Sequence, residues 1–356
     1  MLPVLVALVF ALAGSAVGVI SATARGGLPH RSAAQLLADV QTARLSGLSG
    51  TIVQNAQLGL PDLPGVGGSG SSDLKSMVAG SHTLRLWYAD PNHVRLALLG
   101  SLGESDLVRN GTDVWSWSSK EQAATHRTVP LSHAPRSLAS VSPMTPQEAA
   151  DRALEAIRPS TKVTTDGTAV VAGRNAYELL LQPRDARSLV ESVRIAVDGK
   201  TRVPTRVQVF ARGLDRPALE VGFTSFDPSD PPASVFRFNP PPGTKVTDST
   251  DARVPRPGAH KSEPGQVKTV GDGWTTVVVA SMRESGAPDQ SMDQSMDQSM
   301  GQSMSRMLDR LPKVSGSWGS GRLLRGTLFS AVLTDDGRFA VGAVAPDALY
   351  SALARR

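Results

Sequence analysis

The side chains that usually perform catalysis are present in this chain, but their spacing matches no catalytic motif. The six histidines show neither an H-E-x-x-H pair nor any other close pairing, so a zinc site is not predicted. Gly68-Ser69-Gly70 lies in a Gly- and Pro-rich stretch, not at the strand-to-helix turn that a nucleophilic serine needs. Val197–Thr201 imitates the end of a phosphate-binding loop, but Arg194 stands where its earlier glycine belongs. We therefore expect no enzymatic activity, no metal and no cofactor.

Composition narrows the class of protein further. The chain has 356 residues and no cysteine, and its 37 Lys and Arg residues against 32 Asp and Glu residues give a formal net charge of +5. The length predicts about two domains. The absence of cysteine excludes disulfides, thiolate metal sites and a catalytic thiol. Because the positive charges are not clustered, nucleic acid is not predicted as a partner; the balance suits anionic lipid headgroups or envelope polymers.

The first 24 residues indicate the compartment. No charged residue occurs from Met1 to Ile20, and Ala22-Thr23-Ala24 offers a small-x-small cleavage site. This pattern is typical of a secretory signal peptide, although the usual positively charged start is missing. An uncleaved membrane anchor is the alternative, because about 20 apolar residues can span a bilayer. Both interpretations place the rest of the chain outside the cytoplasm, either secreted or anchored to the membrane by residues 1–24.

Two helix patterns flank the first group of predicted strands. Ser32 can cap a helix whose buried stripe begins at Leu36 and which Gly47 and Gly50 are expected to end. Thr145 and Glu148 form a capping box that predicts a second helix, which ends at Pro159. Two short helices are therefore available to cover one face of a sheet.

Period-two alternation dominates the region between and after these helices. Asn110-Gly111, Asp166-Gly167 and Asp198-Gly199 are predicted as turns. Pro240–Pro242 are expected to end the ladder pairing. The predicted strands are Thr51–Leu58, Thr83–Tyr88, His93–Leu99, Ser105–Arg109, Asp113–Trp117, Ala124–Leu131, Lys162–Ala172, Asn175–Leu181, Ser192–Val197, Thr205–Ala211 and Ala218–Phe226.

A smaller module is predicted after a polar linker at residues 248–266. Residues 267–356 contain strand patterns at Trp274–Ala280, near Leu323–Leu333 and at Phe339–Val344, followed by a helix Ala345–Ala354. The turn Asp335–Gly337 lacks the alternating oxygen ligands of a calcium loop. The insertion 285–306 carries tandem Gln-Ser-Met repeats, whose methionines could bind a soft metal or an apolar partner; a tolerated low-complexity loop explains them more simply.

Together these patterns predict an α+β protein. We expect a strongly curved antiparallel half-open β-barrel covered by helices over residues 30–247, followed by a smaller α+β module. An open barrel under a helical cover leaves an apolar cavity, for which ordinary core packing is the alternative. The alternation of apolar and polar residues along each strand cannot decide which face of the strand points inward. The candidate lining residues are Leu84, Leu86, Tyr88, Trp115, Trp117, Tyr177, Leu179, Leu181, Val207, Val209, Leu219, Val221 and Phe223.

Three segments in the first domain resemble signatures of the LolA family of lipoprotein carriers and of its relative RseB. The segments are Leu86–Pro91, Asp106–Trp115 and Val235–Val246, which read as an L-W-x-x-x-P strand, a G-x-x-(L/V)-W hairpin and a closing F-x-F-x-P-P-x-G-x-x-V. The resemblance covers about residues 33–247 in the same order. The carriers have an arginine implicated in lid closure where this chain has Asp90.

The resemblance implies a half-open barrel with a helical lid that holds acyl chains. One functional hypothesis is therefore a non-enzymatic carrier or chaperone-like protein that binds the acyl chains of lipid or lipoprotein. The second is an RseB-like envelope-stress sensor that regulates a membrane-bound anti-sigma factor, with the C-terminal module resembling the small domain of such sensors. A structural envelope protein with a filled barrel is the third.

Overall fold

The computed structural model describes residues 28–43, 45–60, 71–73, 76–77, 79–131, 159–248, 267–281 and 310–355. The N-terminal segment 1–24, the predicted helix that begins at Thr145, the Gly68-Ser69-Gly70 stretch and the insertion 285–306 lie outside the described residues. Among the described residues, no helix is both long and apolar enough to cross a membrane.

The described chain is mainly β-structure arranged in two sheets. The helices are α1 (Ala33–Thr42) and α2 (Pro346–Ala354). The strands of the large sheet are β1 Leu48–Ala56, β2 Gly80–Asp90, β3 His93–Gly100, β4 Gly103–Asn110, β5 Asp113–Ser118, β6 Ala123–Thr128, β7 Thr161–Val171, β8 Arg174–Pro183, β9 Val190–Asp198, β10 Pro204–Ala211, β11 Pro217–Asp227 and β12 Lys245–Asp248. The strands of the small sheet are β13 Lys268–Val270, β14 Val277–Ser281, β15 Lys313–Gly316, β16 Gly319–Arg325, β17 Ser330–Thr334 and β18 Arg338–Gly342.

The large sheet has 12 strands in the order β12-β6-β5-β4-β3-β2-β1-β11-β10-β9-β8-β7. The first strand lies in the middle and joins the two sequential meanders β2–β6 and β7–β11. The prediction of an antiparallel sheet is wrong at one edge, because β12 pairs with β6 in parallel. The three prolines before β12 do not end the pairing, since the chain rejoins the sheet where the Lys245 amide donates to the Gln122 carbonyl at 2.8 Å.

The large sheet curls strongly and stays open. The guanidinium of Arg174 on β8 lies 5.4 Å from the ring centroid of Phe226 on β11, although two strands separate β8 from β11. The end strands β7 and β12 have no hydrogen-bonded ladder between them among the described strands, so no closed barrel is detected. The expected open sheet is therefore found. The predicted α+β class is wrong in its helix content, because the described residues are mostly β and contain only two α-helices.

Helix α1 begins where the sequence predicts. The Ser32 hydroxyl accepts from the Gln35 amide at 3.2 Å, and the Gln35 side chain accepts from the Ser32 amide at 2.9 Å, which completes a capping box. Leu36 is fully buried against the sheet. The helix ends at Thr42, ahead of the predicted stop at Gly47.

The predicted turn at Asp166-Gly167 is wrong. These residues form a bulge inside β7, where the pairing with β8 shifts between Thr165 and Thr168. Gly167 supplies the positive φ of +74° that the bulge needs. The chain reverses instead at Ala172-Gly173, where both residues have positive φ. An Asp-Gly pair occurs in both β-bulges and β-turns, because both need a residue that tolerates the left-handed region of backbone conformation.

The small sheet packs one face against α2. Its core contains Leu323, Val332, Ala340 and Leu349, all nearly inaccessible to solvent, and Trp318 stacks on Tyr350 of α2 at 5.4 Å. The predicted helix Ala345–Ala354 is found as α2, which starts one residue later at Pro346 with Ala345 as its cap residue. Several boundaries differ from the prediction: Trp274 lies in a 3₁₀ turn before β14, Leu323–Leu333 spans two strands, and β13 and β15 were missed.

Candidate functional site: the apolar face of the large sheet

The strand register sorts the predicted lining residues onto two faces. Directly opposed residues share a face, so Ile52 on β1 connects Leu84 on β2 with Phe223 on β11. We call this side the apolar face. The same rule, carried across the sheet, places on it the predicted residues Leu84, Leu86, Tyr88, Tyr177, Leu179, Leu181, Val207, Val209, Leu219, Val221 and Phe223.

Trp115 and Trp117 lie on the opposite face, so the structure does not bring them together with the other candidates. Trp117 opposes Asp106, which is on the reverse side of β4 from Leu107. Trp115 stacks on His126 at 4.4 Å, and Phe238 lies 5.5 Å from Trp115 and 6.2 Å from Trp117. The closing segment that carries Phe238 therefore covers the two tryptophans on this reverse face.

One half of the apolar face is covered by the protein's own side chains. Leu36 of α1 packs against Tyr177 and Leu179. Trp274 and Phe329 of the C-terminal module pack on the cluster formed around Val209 and Leu219, together with Leu328 and Ala343. Over β8–β11, the space in which the sequence analysis expected an acyl chain is occupied by α1 and by the C-terminal module.

The other half of the apolar face opens toward β4. Leu86 and Phe223 pack with Phe226 in a separate cluster, against which Leu96 lies half-buried. Leu96 opposes Leu107, whose surface is 41% exposed. This half is therefore buried around Leu86 and Phe223 and accessible to solvent at Leu107.

Gly50 is needed where β1 crosses this half. A Cβ atom at Gly50 would lie 2.3 Å from the Ser225 carbonyl oxygen and 2.8 Å from the Phe223 ring. Only glycine lets the two strands and the ring approach this closely. The prediction that Gly50 helps to end the preceding helix is wrong: Gly50 lies inside β1, and the contact that requires a glycine there comes from the distant strand β11.

Tyr88 provides a polar group beside the buried end of the open half. Its side chain is 6% exposed, and its hydroxyl has no hydrogen-bond partner among the described residues. Burial, and to a lesser extent the charge of Asp90, raises the pKa of Tyr88 to about 12. The hydroxyl is therefore protonated at all physiological pH values and can donate one hydrogen bond to a ligand oxygen.

Asp90 stabilises the β2–β3 turn. Its carboxylate accepts from the Asn92 amide at 2.6 Å and from His93 Nδ1 at 2.8 Å. Burial acts to raise the pKa of Asp90, but these hydrogen bonds outweigh it, and the pKa lies below its usual value. The carboxylate is thus engaged in its own hairpin, in contrast to the role that the resemblance assigns to an arginine at this position.

The two modules meet through backbone hydrogen bonds as well as apolar contacts. The Leu189 amide donates to the Ala343 carbonyl at 2.8 Å, and the Thr327 amide donates to the Leu58 carbonyl at 2.7 Å. The Trp274 indole N–H donates to the Thr161 hydroxyl at 2.8 Å. Sequence reasoning missed this junction. A tryptophan just after a polar linker was the available signal.

Metal ligation finds no support in the described part of the chain. No group of three or more His, Asp or Glu side chains is placed to hold an ion there. His126 is the residue nearest to such an arrangement, and it lies between two carboxylates, Asp113 at 2.9 Å and Asp248 at 3.0 Å. This arrangement links the edge strand β12 to β5 and β6.

An open, curled sheet with a second module seated on its apolar face defines a two-module β protein. No protein-family model matches the chain, and no curated protein matches it. Among solved structures, the chain is similar to MucB in the MucA/MucB complex of Pseudomonas aeruginosa, with 14% identity and a TM-score of 0.40 over 90% of this chain and 94% of that chain.

Two further solved structures are similar to about 60% of this chain. A LolA superfamily protein, NE2245 from Nitrosomonas europaea, is 11% identical with a TM-score of 0.21, over 59% of this chain and 99% of that chain. An uncharacterized conserved protein from Thermus thermophilus is 10% identical with a TM-score of 0.34, over 60% of this chain and 98% of that chain.

Proposed function

We propose that this chain is a non-catalytic, extracytoplasmic sensor of the cell envelope. In this proposal the two modules act as one unit that binds a membrane-anchored regulatory protein, such as an anti-sigma factor, and an acyl chain on the apolar face modulates that binding. The observation that carries the proposal is the junction: Trp274 and Phe329 of the C-terminal module pack on the same apolar face that offers the ligand surface. A ligand on this face can therefore influence how the modules are held.

The proposed acyl-binding surface is the open half of the apolar face. Leu86 and Phe223 form its buried end and Leu107 its accessible edge. Burial of an acyl chain contributes about 0.8 kcal/mol per CH₂ group, so a short contact with this surface gives useful affinity. The unpartnered Tyr88 hydroxyl fits the ester or amide oxygen at the head of such a chain.

Lipid content tests the ligand part of the proposal. Native mass spectrometry of protein purified from its own membranes is expected to show a co-purifying acylated molecule. Leu107→Asp places a charge on the accessible edge, where the fold tolerates it, and is expected to remove that molecule. Leu214→Asp is the matched control, because Leu214 is 48% exposed in the β10–β11 turn against 41% for Leu107. A bare apo mass without any delipidation step contradicts the proposal.

Tyr88→Phe separates ligand recognition from folding. It removes a hydroxyl that has no hydrogen-bond partner in the described structure, so the free energy of unfolding is expected to stay the same or rise. Acyl retention is expected to fall by about fivefold to tenfold, the loss of one hydrogen bond. Equal retention in the variant would remove Tyr88 from the proposed site.

Partner capture tests the regulatory part. The full chain is expected to retain a single-span membrane protein with a cytoplasmic sigma-binding domain, identified by mass spectrometry. Trp274→Ala loosens the junction and is expected to weaken this capture. Lipid retention is expected to change in the same variant, because the coupling between the junction and the ligand surface is reciprocal.

A carrier function is the second candidate, and the exposed Leu107 edge favours it because a carrier must release its acyl chain. Transfer of labelled lipoprotein to acceptor membranes without any regulatory partner would support the carrier over the sensor.

A further inference from the structure

The side of the large sheet next to the module junction holds a basic depression that the proposed function does not use. Its volume is about 320 Å³, at the lower end of the range for small-molecule sites. It is lined by Lys162, Gln182, Pro183, Arg184, Glu191 and Arg212. Three cationic side chains against one carboxylate give it a local charge that suits an anion.

The polar groups around the depression are mixed in type. Lys162 and Arg212 are exposed and present their charges to solvent. Glu191 is oriented by the Gly213 amide, which donates to its carboxylate at 3.3 Å. Cations beside a carboxylate and the Gln182 amide can bind a phosphate group and an adjacent hydroxyl together, because the cations take the phosphate oxygens and the carboxylate accepts from the hydroxyl.

Each cation lies next to a contact that holds the modules together. Lys162 directly follows Thr161, the residue that accepts from the Trp274 indole. The Arg184 amide donates to the Ser160 carbonyl at 2.9 Å, and a Cβ atom at Gly273 of the C-terminal module would lie 2.4 Å from the Ser160 Cβ.

Arg212 is connected to the other side of the junction. Its Nε donates to the Ser188 carbonyl at 3.2 Å, and its amide donates to the Leu189 carbonyl at 2.9 Å. Ser188 forms an isolated β-bridge with Val344, and Leu189 donates to Ala343. A ligand that draws the three cations together therefore acts on both sides of the contact between the modules.

We infer that this depression binds a phosphate monoester or diester that carries a neighbouring hydroxyl, and that binding stabilises the docked arrangement of the two modules. A lipid headgroup and a soluble phosphorylated polyol share this chemistry. The inference does not depend on acyl binding at the apolar face, because the two sites are formed by different residues.

Calorimetry and vesicle flotation of the full chain distinguish the two sources. Glycerol 3-phosphate is the soluble probe, and vesicles of phosphatidylglycerol in phosphatidylcholine are the membrane probe. Binding of both is expected, with affinity that falls as ionic strength rises. Binding of vesicles alone, weakened in the variant below, identifies a membrane headgroup as the source. Failure of both probes to bind at low salt overturns the inference.

Lys162→Gln is the test variant and Lys313→Gln the matched control, since Lys313 is an exposed lysine of β15 outside the depression. Removal of one exposed charge is expected to weaken binding of glycerol 3-phosphate about threefold to fivefold. The control is expected to bind as the wild type does. Equal weakening in both variants means general charge attraction and overturns the site.

The fluorescence of Trp274 reports on the junction. Glycerol 3-phosphate is expected to reduce acrylamide quenching in the wild type, and Trp274→Phe is expected to abolish this ligand-dependent difference. If the ligand binds but quenching of Trp274 does not change, the proposed coupling to the junction is wrong.

Discussion

Replacement of Asp198 is expected to be among the most destabilising changes in the large sheet. Asp198 is 1% exposed at the start of the β9–β10 turn. Its carboxylate accepts from Arg174 at 2.7 and 3.0 Å, and from the Thr201 amide at 2.7 Å and hydroxyl at 2.9 Å. Asp198→Ala leaves Arg174 and the turn amides without their acceptor. Breaking a buried pair in this way costs about 3–5 kcal/mol.

Asp198→Asn removes the negative charge but keeps a side chain of nearly the same shape. The amide oxygen keeps one acceptor, so the expected loss is about 1.5–3 kcal/mol, the range for a hydrogen bond to a charged group. Asp166→Ala is the control, because Asp166 is half-exposed and 3.4 Å from Arg194, and is expected to cost less than about 1 kcal/mol. Urea unfolding at neutral pH, followed by circular dichroism, measures all three values.

The difference in the free energy of unfolding between the wild type and Asp198→Asn is expected to depend on pH in a defined direction. Burial acts to raise the pKa of Asp198, but the hydrogen bonds from Arg174 and Thr201 outweigh it and hold the folded-state pKa below the usual value. The stabilisation is therefore fully present above the unfolded pKa of about 3.9 and is lost as the pH falls through the folded pKa. Two results would refute this reasoning. One is a decrease in the free energy of unfolding below about 1 kcal/mol for Asp198→Ala. The other is a difference in unfolding free energy between wild type and Asp198→Asn that does not change as the pH is lowered into the acid range.

Three further predictions concern the sheet edge, the junction and β1. The hydrogen bond that His126 donates to Asp113 is the largest influence that raises the pKa of His126, and the hydrogen bond to Asp248 of β12 raises it further. The His126–Asp248 contact is therefore expected to stabilise β12 below about pH 6.5 and to lose this effect as the pH rises through the folded pKa of His126. Amide exchange in β12 of the wild type and of His126→Gln, which should converge at alkaline pH, checks this. Trp274→Phe should lower the free energy of unfolding by about 1 kcal/mol, because the Thr161 hydroxyl loses its donor, and thermal unfolding that matches the wild type would contradict a role in the junction. Gly50→Ala should cost about 2–3 kcal/mol through its clash with β11, whereas Gly111→Ala, with no atom within 4 Å, should lose only about 1 kcal/mol from its positive φ; comparable losses in urea unfolding would exclude the clash as the cause.

The strands were predictable from the sequence because their determinants are local. Alternation and the predicted Asn110-Gly111 turn locate the hairpin of β4 and β5 within a residue or two at each end, although the turn itself is Gly111-Thr112 and Asn110 pairs with Asp113. The capping box at Ser32 equally predicts the start of α1. Asp166-Gly167 was misread because a bulge and a turn use the same residues, and only the pairing with β8 distinguishes them.

The site was less predictable because its determinants are contacts between distant segments. The register that separates Trp115 and Trp117 from Leu84 depends on the whole order of strands, and period two alone assigns no common face to separate strands. The burial of Val209 and Leu219 depends on Trp274 and Phe329, which belong to the other module. No local pattern in either strand predicts which segment covers it.

Because β1 lies between β2 and β11 in the middle of the large sheet, the sheet can be completed only after β11 is available. Ser49 pairs with Asp227, so the first strand must wait for nearly the whole domain before it gains its second neighbour. The meanders β2–β6 and β7–β11 can each form from sequence-adjacent hairpins, whereas their union depends on a closure of high contact order, which is slow. Until then β1 exposes an unpaired edge. During synthesis, the interval before Asp227 emerges is thus the period when this chain is most exposed to aggregation, and a truncation just upstream of β11 would make that vulnerable intermediate permanent.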